Sequence, residues 1–348
     1  MTTWVPTRSA RLTTPDCLRG IAAAAVAWFH ITNGNPEFSP PALLKASGAQ
    51  GWLGVEVFFV ISGFVIPYAL HAARYRLRDY WRFLLKRILR LDPPYLASIP
   101  LVIGLAYISA AMPGFRGQSP PSYTIRQLIS HAGYVTSFFG YRWVNVVYWS
   151  LALEFQYYLL IGLLFPLVQH RRAWIRAAVL ICVAVAALTP SNLLLVLPWC
   201  FLFILGIFTF QFREGTLTWR WYALGVGLAG IGSTITLGVS VALVGVATAS
   251  VIALVNLRSR TLLFLGEISY SLYLVHVPIG GRIVNLSLRF PVSPMGKVGV
   301  SIAAFFASVT VAFLFYRFAE RPARSWAARI HYGERARGPA DREAGRSE

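Results

Sequence analysis

Residues Leu18–Ile31 read LRGIAAAAVAWFHI, an apolar stretch able to enter a bilayer, with an arginine near one end and a histidine near the other. On an ideal helix the eleven-residue step from Arg19 to His30 turns about 1100°, about three turns plus 20°, and rises roughly 16 Å. Both side chains therefore leave the same helix face. Ionisable groups at membrane depth are costly and usually face a protein interior or a wet cavity, where they mark function. The structural alternative is that Arg19 snorkels to the headgroups and His30 merely bonds a neighbouring helix. Taken by themselves, the two residues leave both readings open.

The remainder of the chain has the same character. It is 348 residues long, 56% apolar and 13% charged, which excludes a soluble globular or a disordered chain. Apolar windows recur near 17–34, 51–71, 94–112, 147–168, 173–189, 192–211, 219–237, 239–256, 262–281 and 297–318. They predict an all-α polytopic membrane protein of about ten transmembrane helices. An even number of spans puts both termini on one side. Met1–Asp16 is polar and lacks the apolar core of a cleavable leader, so the first span is expected to direct insertion.

The net charge of +19 would suggest nucleic acid in a soluble chain. Here the basic residues lie between apolar segments. With cytoplasmic termini, 25 of the 32 Lys and Arg fall inside, a bias that supports both the span count and the orientation. No nucleic-acid partner is expected; the lipid bilayer is. Cys17, Cys182 and Cys200 show neither metal spacing nor a disulfide framework, and no metal is expected. Three stretches stand apart: a basic, aromatic run at the cytoplasmic face (Tyr75–Tyr95), a long outside loop (Pro113–Asn145) and a polar tail (326–348) that follows a single domain over 1–325.

Polar groups inside the spans carry the chemistry. GWLGVEVFFVISGFVI holds Glu56, and YWSLALEFQYYLL holds Glu154 with Ser150, Tyr157 and Tyr158 one turn away. FLGEISYSLYLVHVP brings Glu267, Tyr270, Tyr273 and His276, the last two helical neighbours. Either carboxylate could simply pair with an arginine and lock two helices. Several titratable groups spread over four spans read together as a proton-handling site. Arg87 and Arg90, three residues apart, share a helix face and can grip phosphates, although a basic segment beside a span also binds anionic lipid. Gly225, Gly227 and Gly230 spell G-x-G-x-x-G but lie inside an apolar span, where close helix packing is the expected reason.

In chain order these motifs resemble the membrane acyltransferase-3 family over roughly residues 13–325. DCLRGIAAAAVAWFH is similar to its pattern of arginine, ten residues, histidine; GVEVFFVISGF (Gly54–Phe64) resembles its second-span signature. KRILRLDPPY (Lys86–Tyr95) is similar to its R-x-x-R segment, and YWSLALEFQYYL (Tyr148–Leu159) to its W-S-L-x-x-E signature. LGEISYSLYLVHVP (Leu265–Pro278) and FAERPAR (Phe318–Arg324) resemble its closing signatures. The resemblance implies transfer of an acyl group, expected to be acetyl, from cytoplasmic acyl-CoA to a carbohydrate hydroxyl at a bacterial inner membrane, with no permanently bound cofactor. It implies His30 as general base, Glu154 or Glu56 as its orienter and Arg19 holding the donor or the thioester oxygen. Arg87 and Arg90 would grip the CoA phosphates, with Tyr270 and His276 also at the donor site. Many members carry a fused extracytoplasmic hydrolase-like domain; the stand-alone form is expected here. The same chemistry could serve a sugar on a macrolide-type metabolite. A proton-coupled transporter or flippase could use the same buried charges, although the chain shows no inverted repeat.

Overall fold

The apolar windows fall largely on helix, and no strand occurs among the described residues, 13–112 and 122–332 of a computed structural model. In chain order the helices are α1 (Thr13–Asn33), a short α2 (Ala42–Gly48), α3 (Gly54–Ala72), α4 (Tyr80–Ala111), a short α5 (Ile125–Ala132), α6 (Trp149–Val168) and α7 (Ala173–Leu188). There follow α8 (Cys200–Arg213), α9 (Trp219–Leu237), α10 (Val239–Leu254), α11 (Arg260–Glu267), α12 (Ser269–Ser287), α13 (Pro294–Phe315) and α14 (Arg321–Ala328). Four helical stretches are by themselves long and apolar enough to cross a membrane: Ala42–Ala72, Leu77–Ala111, Val146–Val168 and Pro294–Ala328. A bent pair, α11 and α12, adds a fifth if it counts as one span. The chain is thus a multi-pass membrane protein.

Two expectations need correction. The window 262–281 is not one straight span: α11 and α12 meet at 72°. Ile268 leaves helical geometry (ψ 3°), and the Ser269 hydroxyl donates to the Gly266 carbonyl at 2.8 Å across the break. The basic run Tyr75–Tyr95 is not a separate surface segment either. Tyr80–Ala111 is one helix of 32 residues that continues through Pro93, Pro94 and Pro100. Pro usually ends or kinks a helix because it lacks the N–H for the i−4 bond; inside a bundle its neighbours hold the segment together. Here the Tyr270 hydroxyl donates to the Leu91 carbonyl (2.9 Å), and the Ser98 hydroxyl to the Tyr95 carbonyl (2.6 Å).

Two close helix crossings pair glycine with glycine. A Cβ on Gly63 of α3 would stand 2.2 Å from the Phe203 carbonyl oxygen, and one on Gly206 of α8 2.2 Å from that of Val60. Likewise a Cβ on Gly20 of α1 would meet the Leu262 carbonyl at 2.5 Å, and one on Gly266 of α11 the Asp16 carbonyl at 2.0 Å. Such pairs let backbones touch, the usual device of helix packing in lipid. Gly225 and Gly230 of the G-x-G-x-x-G stretch face Phe208 and Val246, so two of its glycines serve helix packing.

The loop between α4 and α6 folds back into the bundle over its described part, 122–145; residues 113–121 lie outside the described residues. Tyr134 takes a left-handed backbone (φ 57°), its ring stacked on Tyr95 and Phe155 and its hydroxyl donating to Asp92 at 2.8 Å. His131 anchors the same segment: Nδ1 bonds the Gln127 carbonyl, Nε2 accepts from the Val144 N–H, and burial pushes the imidazole below its ordinary range. At the other end, residues 326–332, expected in the polar tail, pack on α4 through Lys86 Nζ to the Ile330 carbonyl (3.1 Å) and Tyr332 against Phe83. Residues 333–348 lie outside the described residues.

Candidate active site

The inward face of α4 decides the geometry. Arg87 is buried and Arg90 half-buried, so this pair points into the bundle rather than toward headgroups. Arg19 of α1 comes to meet them. Arg19, Arg90, Glu154, Tyr270 and Tyr273 line a cleft with about 620 Å³ of free space, whose apolar wall is Val55, Phe58, Phe59 and Leu151. An adjoining space of about 340 Å³ shares Arg19, Arg90 and Glu154 and adds Arg87, Ser62 and Tyr158. Arg90 lies within electrostatic reach of Arg19, Arg87 and Arg324. Arg19, Arg87 and Arg90 form no hydrogen bond or ion pair with any described residue, and the Nε atoms of Arg19 and Arg87 are buried. Three guanidiniums thus present about fifteen N–H donors without an acceptor among the described residues. Arg87 is held by stacking, its guanidinium 5.4 Å from the Phe83 ring centre and 5.7 Å from that of Tyr158.

Glu154 is fixed on one side only. Its Oε1 accepts from the Ser62 hydroxyl (2.7 Å) and the Tyr158 hydroxyl (2.5 Å). Glu320 and Arg324, from the closing motif FAERPAR, also line the cleft. A π-helical turn (Tyr316–Glu320) precedes α14, and Glu320 at its end accepts from the Ser271 N–H (3.1 Å) and hydroxyl (2.5 Å). Arg324 pairs with Glu320 and donates to the Glu267 carbonyl at 2.8 Å. This network pins the break before α12 to the end of α13. Glu320 and Arg324 have no separate assignment in the sequence reading, where the motif is the only signal for them.

His30 is placed differently from expectation. It does not line the cleft. Its partner is His276, with Nε2 of His276 3.2 Å from Nδ1 of His30. No carboxylate among the described residues hydrogen-bonds it: Glu154 bonds Ser62 and Tyr158, and Glu56 is buried with Oε2 unpartnered. The expected base–carboxylate contact is not among the described hydrogen bonds of His30; an imidazole pair stands there. Its cause is the packing of α1 along α12, which carries Tyr270 to the cleft beside Arg19 and His276 to His30 one to two turns further on. Tyr273 joins the two regions, its ring 6.1 Å from Phe58 in the cleft wall and 5.9 Å from His276. Its hydroxyl is tied to Ser150 at 2.6 Å.

Apolar spans, inward arginines and a histidine on the same helix as Arg19 describe a membrane enzyme, and comparison supplies the class. A model of an acyltransferase domain matches residues 12–317. The chain belongs to the acyltransferase-3 family. This family member is similar to the acyltransferase MdmB of Streptomyces mycarofaciens, 28% identical over 336 residues, covering 82% of this chain and 84% of that one. It is also similar to the O-acetyltransferase OatA of Staphylococcus aureus, 33% identical over 141 residues, 35% of this chain and 21% of the relative. No solved structure matches the chain. It is an acyltransferase of the membrane, and all eight site residues singled out in its sequence lie within the matched range.

Proposed function

We propose that this acyltransferase moves an acyl group, acetyl in the expected case, from cytoplasmic acyl-CoA to a hydroxyl of a cell-surface or exported carbohydrate. It would do so across a bacterial inner membrane, through about ten spans with both termini cytoplasmic. The observation that supports this most is the set of uncommitted donors on Arg19, Arg87 and Arg90 beside an apolar wall. Guanidinium forks suit phosphate oxygens, and CoA carries its phosphates at one end of a long flexible arm and its thioester at the other. Phosphates held at the arginines would leave that arm free to reach toward His30, about 16 Å along α1 from Arg19.

A sugar hydroxyl is a weak nucleophile near neutral pH and needs a base within hydrogen-bond reach. His30 takes the hydroxyl proton as the C–O bond forms; the C–S bond breaks and the proton leaves with the CoA thiol. Glu154 tempers the arginine charge through its uncommitted oxygen. Arg87→Ala removes a phosphate contact remote from the reacting atoms. Charge-assisted hydrogen bonds contribute about 1.5–3 kcal/mol, so KM for acyl-CoA should rise about 10- to 100-fold with kcat little changed. Steady-state kinetics in liposomes test this, and an unchanged KM removes the phosphate assignment. Offering a glycan fraction and a glycosylated macrolide side by side identifies the acceptor class. Failure to consume acetyl-CoA or any longer acyl-CoA would instead favour transport.

A further inference from the structure

We propose that His276 is a positioning residue that locks His30 in one tautomer, Nδ1 protonated and Nε2 bare, making Nε2 the nitrogen that receives the hydroxyl proton. The last clause rests on the acyl-transfer reading; the tautomer does not. His276 is fully buried, and its Nδ1 lies 2.9 Å from the Leu272 carbonyl oxygen. A carbonyl only accepts, so Nδ1 carries the hydrogen and, in the neutral ring, Nε2 is a bare acceptor. That acceptor faces His30 Nδ1 at 3.2 Å, and the Val26 carbonyl oxygen reaches the same atom at 3.0 Å. Two acceptors thus converge on His30 Nδ1, which must donate. Reversing either ring would set a nitrogen lone pair against a carbonyl oxygen. Nε2 of His30 forms no hydrogen bond with any described residue. Each carbonyl belongs to the residue four positions earlier on the same helix; the Leu272 carbonyl sets His276, and His276 adds the second acceptor that keeps the His30 ring from rotating away from the Val26 carbonyl. A neutral imidazole orients the base without adding a second buried charge, which a carboxylate would bring.

Two substitutions separate this role from donor binding. Gln can place an amide oxygen near the position of Nε2, and so still accept from His30; Asn reaches only the position of Nδ1, and so keeps at most the Leu272 bond. In reconstituted protein, His276→Gln should keep kcat within about 3-fold, whereas His276→Asn should lose about 10- to 100-fold in kcat with KM for acyl-CoA unchanged. Nitrogen-15 spectra of histidine-labelled protein, with the His30 signals assigned by their loss in His30→Ala, should show a protonated Nδ1 and a bare Nε2 in wild type and His276→Gln. In His276→Asn they should show a mixture. Equal kcat in the two variants, an effect confined to KM, or a protonated Nε2 in the wild type each overturns the proposal. If no variant transfers acyl groups at all, the spectra still decide the tautomer, so failure of the acyl-transfer reading is told apart from failure of this one.

Discussion

His30→Ala is expected to lower acyl transfer by about 10²- to 10⁴-fold, the usual contribution of a positioned general base. The chain should still fold and still bind its donor. His30 is half-buried, its hydrogen bonds run to one carbonyl and one histidine, and neither cleft space includes it. A loss of rate with an unchanged KM for acyl-CoA would therefore be a chemical defect rather than a folding or binding one. Purified protein in liposomes with radiolabelled acetyl-CoA gives the measurement, as CoA release and as label transferred to added glycan. Transfer near the wild-type rate would remove His30 from the chemistry.

Gly206→Leu is expected to cause the largest loss of stability. Its Cβ would lie 2.2 Å from the Val60 carbonyl oxygen and 2.5 Å from the Gly63 carbonyl carbon, atoms of the α3 backbone that no rotamer change can move. The two helices would have to part, and the layer beneath them resists: Tyr157 stacks on Phe203 at 4.0 Å, and Phe59 packs against Phe203. The cost should reach or pass the upper end of the usual overpacking range, about 3 kcal/mol. Ser62, next to Gly63, donates to Glu154, so the displacement also reaches the cleft. The unfolding midpoint in detergent should drop, while Gly104→Ala, where an added Cβ meets nothing within 4 Å, serves as the neutral control. Equal midpoints for the two variants would refute the packing argument.

The helical architecture was readable because lipid demands long apolar runs and leaves few alternatives to helix. Arg19 and Glu154 were readable for the same reason, each being a costly group inside an apolar run, whereas Arg87 and Arg90 were readable only as a basic pair beside a span. What their spacing did not convey was direction. Arg87 and Arg90 sit in a basic run ahead of the apolar window 94–112, so the R-x-x-R pair reads as a surface patch; only the continuous α4 turns it inward. The partner of His30 was hidden for a different reason. His276 lies 246 residues away, and local periodicity says nothing about contacts at that separation. The 72° break at Ile268 depends on the close crossing of α1 and α11 at Gly20 and Gly266, again a tertiary cause. The inward turn of Glu320 depends on a π-helical turn that has no compositional signature.

The two joined spaces are lined by four guanidiniums, from Arg19, Arg87, Arg90 and Arg324, against the carboxylates of Glu154 and Glu320. On formal charges this leaves a surplus of two positive charges among low-dielectric walls. Such a surplus draws small anions from the surrounding medium, which any polyanionic ligand of the cleft would have to displace. If the donor is polyanionic, as proposed, its capture should behave as ion exchange: the affinity should fall steadily as chloride or inorganic phosphate rises, and the ionic strength of the medium would be one of the variables that set how much of the enzyme is loaded.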